Sequence, residues 1–447
     1  MKKVSVFLLF ILLFTFCLSP IKSSALSVTK PSFEPEAEGI YMINTDTGTV
    51  IYEKNAQKRL YPASLTKLMT AILVMENVKD MDKETVTAEP KHFNEFVGET
   101  VSNADIKMGE TLTVRQLLDC VLIQSANEAA NMLAEYVGNG KENFVKMMNE
   151  RAVQLGCKDT HFVNPHGMHD DNHYTTPYDM YLITKHAKTL PGFNEIVSQP
   201  RMTVAATNKH AERLLLNTNL MMDAIRGGPQ YYYKPVTGVK TGSTEKAGYC
   251  LISTASQDGY NYLCVMMHAP MKDKNGKTRT DRPDLADTKK LYQWAFSSFK
   301  LQPGADVKEP VAQIKVKCSF GKDKVNLLPE KELSVLLPSE VNASSIIKTP
   351  NIPKELTAPV KKGQVVGTAT LTLANEKIGE INLIAEETIE RSDLLFVLDA
   401  IGRFFSSGVF KVLLILLVLC VILYIVYVIL LNRRRKRYKK VKRYRRL

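Results

Sequence analysis

The 20 residues from Val412 to Leu431 hold no charged side chain, and the 16 that follow hold 11 Lys and Arg and no acid. As a helix rising ~1.5 Å per residue, such a run is long enough to cross a ~30 Å hydrocarbon core. The basic cluster behind it argues against a buried core helix and orients the span by the positive-inside rule. The pattern predicts a single transmembrane helix at 412–431, a cytoplasmic tail at 432–447, and everything before Val412 outside the cell membrane. The rest of the chain must therefore fold as an exported body tethered near its C-terminal end.

The other end agrees. Met1-Lys2-Lys3, the apolar stretch Val4 to Leu18 and the small residues Ser23-Ser24-Ala25 read as a secretory signal peptide over residues 1–25. Bulky Phe16 before Cys17 argues against a lipoprotein signal at that cysteine. The location of the basic residues also explains the net charge of +13. Without the tail's 11 basic residues and Lys2, Lys3 and Lys22, residues 26–431 carry −1. The body is nearly neutral, so the basic patch faces a membrane surface and no nucleic-acid partner is expected. Of seven cysteines, Cys120, Cys157, Cys250, Cys264 and Cys318 lie in that body, too sparse a set for a disulfide scaffold. Cys250 and Cys264 fall on consecutive expected strands, where pairing is open, but buried free thiols are the expectation. His161, His166, His169 and His173 cluster on turn-like sequence without the spacing of a zinc site, and no metal or cofactor is implied.

Within the body three short motifs stand in order: Ser64-x-x-Lys67, Ser125-x-Asn127 and Lys240-Thr241-Gly242. S-x-x-K alone is common here, recurring from Ser19, Ser27, Ser243, Ser297, Ser319 and Ser345. Context selects Ser64: it follows Pro62 and opens a stretch with apolar residues at 65, 68, 69, 72 and 73, a helical spacing. Positions i and i+3 share a helix face, so the Lys67 amine reaches the Ser64 hydroxyl. A serine hydroxyl is a weak nucleophile and needs such a base; burial and a nearby cation, with Lys240 as the candidate, would keep Lys67 partly neutral. Ser125 would relay a proton to a leaving group, and the Asn127 amide would orient a substrate backbone. The Lys240-Thr241-Gly242 strand offers an edge for an extended peptide, with Lys240 and Thr241 at its carboxylate. Backbone N–H groups of Ser64 and Ser243 would form an oxyanion hole.

The fold follows from the order of elements. Ile40 to Ile43, a turn at Thr45-Asp46-Thr47-Gly48 and Val50 to Tyr52 predict a β-hairpin; residues 112–155 read mostly helical, with Ser125 and Asn127 on a short connection. Strands at 248–255 and 260–268 and a helix over about 284–299 complete an α/β (α+β) domain, an antiparallel sheet flanked by helices, spanning 26–301. Residues 302–390 lack helical periodicity. Ile314 to Lys317 alternates, and 333–337 and 368–373 are strand-like, which predicts a small all-β domain. The segment 391–411, with Leu394, Leu395, Val397, Leu398, Ile401, Phe404 and Phe405, suits a juxtamembrane amphipathic helix.

Beyond the triplet, Tyr61 to Thr70, Thr160 to Gly167, Tyr174 to Met180, Thr237 to Thr244 and Ala247 to Cys250 are similar to segments of one family. Over about residues 36–270 the chain resembles the D-alanyl-D-alanine carboxypeptidases, the low-molecular-mass penicillin-binding proteins of peptidase family S11. The resemblance implies Ser64 as nucleophile, Lys67 as base, Ser125 as proton shuttle, and Lys240 with Thr241 as carboxylate binders; Asn127, Gly242 and Ser243 complete the substrate site. It also implies removal of the terminal D-alanine from peptidoglycan stem pentapeptides, with β-lactams as inhibitors. Two departures stand out: Ser-Ala-Asn where the family usually has Ser-Gly-Asn, which would narrow the site, and a full span where it often has an amphipathic helix. A β-lactamase shares the triplet, but the distal β-domain and anchor do not fit a soluble one. A penicillin sensor or wall-binding protein would acylate without turnover.

Overall fold

The computed structural model describes residues 30–444, with the side chains of residues 435–444 left out of account. The expected leader lies outside the described residues. Two compact units emerge, one up to Gln302 together with Val335–Ala343, the other formed by Pro303–Ser334 and Ser344 onward.

The first unit is built on a five-stranded sheet. Its strands are β1 (Gly39–Asn44), β2 (Val50–Lys54), β3 (Val236–Thr244), β4 (Gly248–Gln257) and β5 (Tyr260–Ala269). They lie in the order β2-β1-β5-β4-β3, every pairing antiparallel. Because side chains alternate along a strand, each face has its own core. Tyr41, Ile43, Ile252, Leu263, Val265 and Met267 pack into one, against α1 (Lys67–Asn77), α2 (Asn127–Gly138) and α3 (Lys141–Gln154). Ile40, Met42, Leu251, Cys264 and Met266 pack into the other, against Leu285, Leu291, Tyr292 and Ala295 of α4 (Pro283–Ser298). Cys250 belongs to the first core and Cys264 to the second, so the sheet itself separates them and both thiols are free. Leu336, from the segment that returns to this unit, joins the α4 core.

The helix expected at Ser64 differs in detail. Residues Ala63–Thr66 form a 3-10 turn, and only from Lys67 does the chain become α-helical. Every residue from Lys67 to Val74 is buried, not one face alone. A helix apolar on all sides belongs at the centre of a domain, and α1 is packed by α2, α3 and the helix Pro177–Ala187.

In the second unit, β6 (Ala312–Lys317), β7 (Lys324–Pro329), β8 (Ile347–Asn351), β9 (Glu355–Thr357), β10 (Val365–Leu373) and β11 (Glu376–Ala385) form one sheet. Its order is β8-β10-β11-β7-β6-β9, with only β6 and β9 parallel. Ile314 and Val316 point inward and alternate with exposed Gln313 and Lys315, the period-2 pattern read from the sequence. Two helices follow. α5 (Asp393–Ser406) exposes Leu394, Val397, Leu398, Ile401, Phe404 and Phe405, and Ser392 caps it by accepting from the Leu395 N–H at 3.3 Å. α6 (Gly408–Tyr444) contains the apolar stretch Gly408–Arg434, long and apolar enough to cross a membrane, with mean hydropathy 3.4.

Candidate active site

Three elements of the first unit meet at Ser64. The turn that carries it is held from two sides by glycines that leave no room for a side chain. A Cβ on Gly242 of β3 would stand 2.9 Å from the Ser64 nitrogen and 3.0 Å from the Pro62 oxygen. A Cβ on Gly167, whose φ is +88°, would overlap the Ala63 carbonyl at 1.9 Å. Ala63 itself has φ +47°, in the left-handed region that L residues rarely adopt. Thr66 secures that conformation: its hydroxyl donates to Ala63 O at 2.8 Å and meets His173 Nε2 at 2.8 Å. The Val163 N–H donates to His173 Nδ1 at 3.3 Å, so the ring proton sits on Nε2 and is given to Thr66. Burial holds His173 far down, at about 3, so it stays neutral in this role.

Lys67 is the centre of the polar network. Its Nζ lies 3.0 Å from Ser64 Oγ, 2.5 Å from Asn127 Oδ1 and 2.6 Å from the His166 carbonyl. Burial first, and then the facing Lys240 ammonium, push the Lys67 amine well below its usual range, while Glu128 opposes them. The Asn127 and His166 oxygens can only accept. A neutral Lys67 therefore spends both N–H bonds on them and has one lone pair left, aimed at the Ser64 hydroxyl. Lys240 is fully buried on β3, donates to Thr241 O at 2.9 Å, and is lowered by burial to about 7. Thr241 donates to Thr218 Oγ1 at 2.6 Å.

Ser125 sits on the short connection read from the sequence, whereas Asn127 is already the first residue of the helix that follows. A π-turn over Cys120–Gln124 precedes Ser125, whose φ is +66°, and α2 begins at Asn127. Such turns interrupt helices mostly where a side chain must be re-aimed. The chain beside them is tied down: the Asn127 N–H donates to Ser102 O at 2.9 Å, Gln124 to Asn103 O at 2.8 Å, and the Ala104 N–H to the buried Glu128 at 2.6 Å. Ala126 has φ −60° and is fully buried in the helical core. Among the described residues no group of three or more His, Cys, Asp or Glu is placed to hold a metal ion.

Ser64, Lys67, Asn127 and Gly242 are brought into direct contact or immediate proximity, and Lys240 close enough to act on Lys67 through its charge. Thr66 and Thr70 were not singled out by the sequence, which named His166 and His173 only as members of a histidine cluster on turn-like residues. Thr70 Oγ1 donates to Pro165 O at 2.6 Å, and His166 contributes a backbone carbonyl, which leaves no side-chain signature. The turn formers Asn164-Pro165-His166-Gly167 were the available signal.

A family model described as D-alanyl-D-alanine carboxypeptidase matches residues 25–271, and one described as penicillin-binding protein 5, C-terminal domain, matches residues 302–391. D-alanyl-D-alanine carboxypeptidase DacF of Bacillus subtilis is 30% identical over 365 residues, 81% of this chain and 88% of the relative. DacC of Escherichia coli is 30% identical over 390 residues, 84% of this chain and 90% of the relative. The crystal structure of penicillin binding protein 5 from Haemophilus influenzae superposes with a TM-score of 0.63 at 26% identity, covering 82% of this chain and all of that one. With the motifs, the fold and both matches in agreement, the chain belongs to the D-alanyl-D-alanine carboxypeptidase family, peptidase S11, and is a serine-type carboxypeptidase with the C-terminal domain of penicillin-binding protein 5.

Proposed function

We propose that the enzyme removes the terminal D-alanine from peptidoglycan stem pentapeptides through an acyl-enzyme on Ser64, and that penicillins acylate the same serine. The observation that carries this reading is the Lys67 amine, buried, lowered in pKa and 3.0 Å from Ser64 Oγ. The peptide lies along β3 with its carboxylate at Lys240 and Thr241 and its backbone on the Asn127 amide. Ser64 Oγ attacks the penultimate carbonyl as its proton passes to Lys67. The Ser64 and Ser243 N–H groups stabilise the oxyanion; Ser125 passes a proton to the departing D-alanine nitrogen, and water then hydrolyses the ester. We further assign the catalytic domain to 26–301, the small β-domain to 302–390, and a single-pass topology with the catalytic domain outside and the tail cytoplasmic.

A peptide ending in D-Ala-D-Ala should release D-alanine over many turnovers. Ser64→Ala should abolish both release and covalent labelling by a fluorescent penicillin. Labelling of a folded Ser64→Ala protein would place the nucleophile elsewhere, and a single turnover only would make this a penicillin sensor.

A further inference from the structure

The segment over residues 102–106 lies against Gln124 and Asn127 and is fastened residue by residue. Ser102 O accepts from the Asn127 N–H at 2.9 Å, Asn103 O from Gln124 Nε2 at 2.8 Å, and Ala104 O from Arg213 Nη1 at 2.7 Å. The Ala104 N–H in turn donates at 2.6 Å to Oε1 of Glu128, in the first turn of α2. Glu128 is only 3% exposed, and its Oε2 is buried with no hydrogen-bond partner among the described residues. A carboxylate so deeply buried needs a cation. Arg213 is spent on Glu110 and on Ala104 O. The remaining cation is Lys67, which touches Asn127, the residue before Glu128, at 2.5 Å; Lys67 and Glu128 each act on the other through their charges. The Cys120 thiol, which feels Arg213, Glu128, Asp119 and Glu110, is pushed up by burial and stays neutral.

Resting on the proposed roles of Ser64 and Lys67, we propose that Glu128 is a positioning residue of the reaction: fastened by the 102–106 backbone, its carboxylate is the counter-charge for the ammonium that forms when the Ser64 O–H bond breaks and the proton bonds to Lys67 Nζ. A neutral Lys67 needs no such partner. Once it holds the serine proton, it is a second buried cation beside Lys240, and the Glu128 carboxylate offsets that repulsion. Glu128 thereby makes Lys67 a stronger base and sets the pH above which its amine is neutral.

The test follows kcat/KM against pH for the full-length protein in detergent with a carboxylate-free ester, so that no substrate carboxylate meets Lys240. Glu128→Gln keeps an oxygen for the Ala104 N–H and removes the charge. Its rising limb should move about one pH unit lower, because Lys67 then gives up its proton more easily. Its plateau should fall about threefold, as expected when a roughly tenfold weaker base takes a half-transferred proton. Glu128→Asp, charged on a shorter stem, should move the limb in the same direction by less, and it decides alone where the amide variant does not fold. A limb left at the wild-type pH, with or without a loss of rate, would make Glu128 a clamp for the 102–106 segment only and overturn the inference; so would a limb moved to higher pH. Hydrolysis of the ester by Ser64→Ala at the wild-type rate would instead overturn the reading of Ser64 on which the inference rests.

Discussion

Lys240 and Lys67 are two amines in one buried site, and the proposed mechanism asks opposite protonation states of them. In it Lys67 must lose its proton to accept one from Ser64, whereas Lys240 must keep its own to meet a carboxylate. Both are lowered by burial, Lys67 also by the charge of Lys240. The sign follows directly: kcat/KM for a carboxylate-bearing peptide should rise with pH as Lys67 becomes neutral, then fall as pH passes about 7 and Lys240 loses its charge. A carboxylate-free ester should show the rising limb without that fall. Lys240→Gln should cost the carboxylate-bearing substrate roughly 10- to 100-fold more than the ester, the worth of a charge-assisted hydrogen bond. Parallel losses on both substrates would assign Lys240 to folding or general electrostatics.

At the level of elements, Ser64 is carried by a turn rather than by the helix that follows it. Ser64 sits between Ala63, in a left-handed conformation, and Lys67, the first residue of α1, and the turn is clamped by β3 on one side and the Asn164–Gly167 turn on the other. Gly242→Ala would force backbone from backbone, because the nearest atoms are Ser64 N, Pro62 O and Leu65 N. Overpacking of this kind destabilises by about 1–3 kcal/mol. A shift of ~1 Å in the reacting group is worth about 100-fold in rate. Penicillin acylation by Gly242→Ala should therefore fall on the order of 100-fold, while thermal unfolding moves only a few degrees. A normal acylation rate would show that the turn can yield. Helix existence here was legible from apolar spacing. The 3-10 entry and the π-turn before Ser125 were not, since both meet neighbours remote in sequence: Gly167 and Gly242 hem in the first, and the Thr218 and Leu216 N–H groups donate to Ile123 O and Gln124 Oε1 of the second.

For the whole molecule the decisive element is α6. An apolar stretch with mean hydropathy 3.4 holds a protein in a bilayer irrespective of salt, whereas each basic residue near an anionic leaflet adds only ~1 kcal/mol that salt screens. High-salt or carbonate washing should leave the full-length protein in membranes, and a chain ending near Glu390 should be released as soluble enzyme. External protease should remove the catalytic domain and spare the tail. Release of the intact protein by salt, or cleavage of the tail from outside, would contradict the single-pass topology.

The sequence by itself determined the order of the elements, the apolar run near the C-terminal end and the three motifs of the candidate site, because these depend on composition, periodicity and short local patterns. Ser64, Lys67, Ser125, Asn127, Lys240 and Thr241 were legible for that reason. Only the tertiary structure decided that α1 is buried on every side and that the sheet separates Cys250 from Cys264. It alone also decided how the Lys67 lone pair is directed. That depends on the His166 carbonyl and the Asn127 oxygen converging on one nitrogen, and a backbone carbonyl has no letter in the sequence.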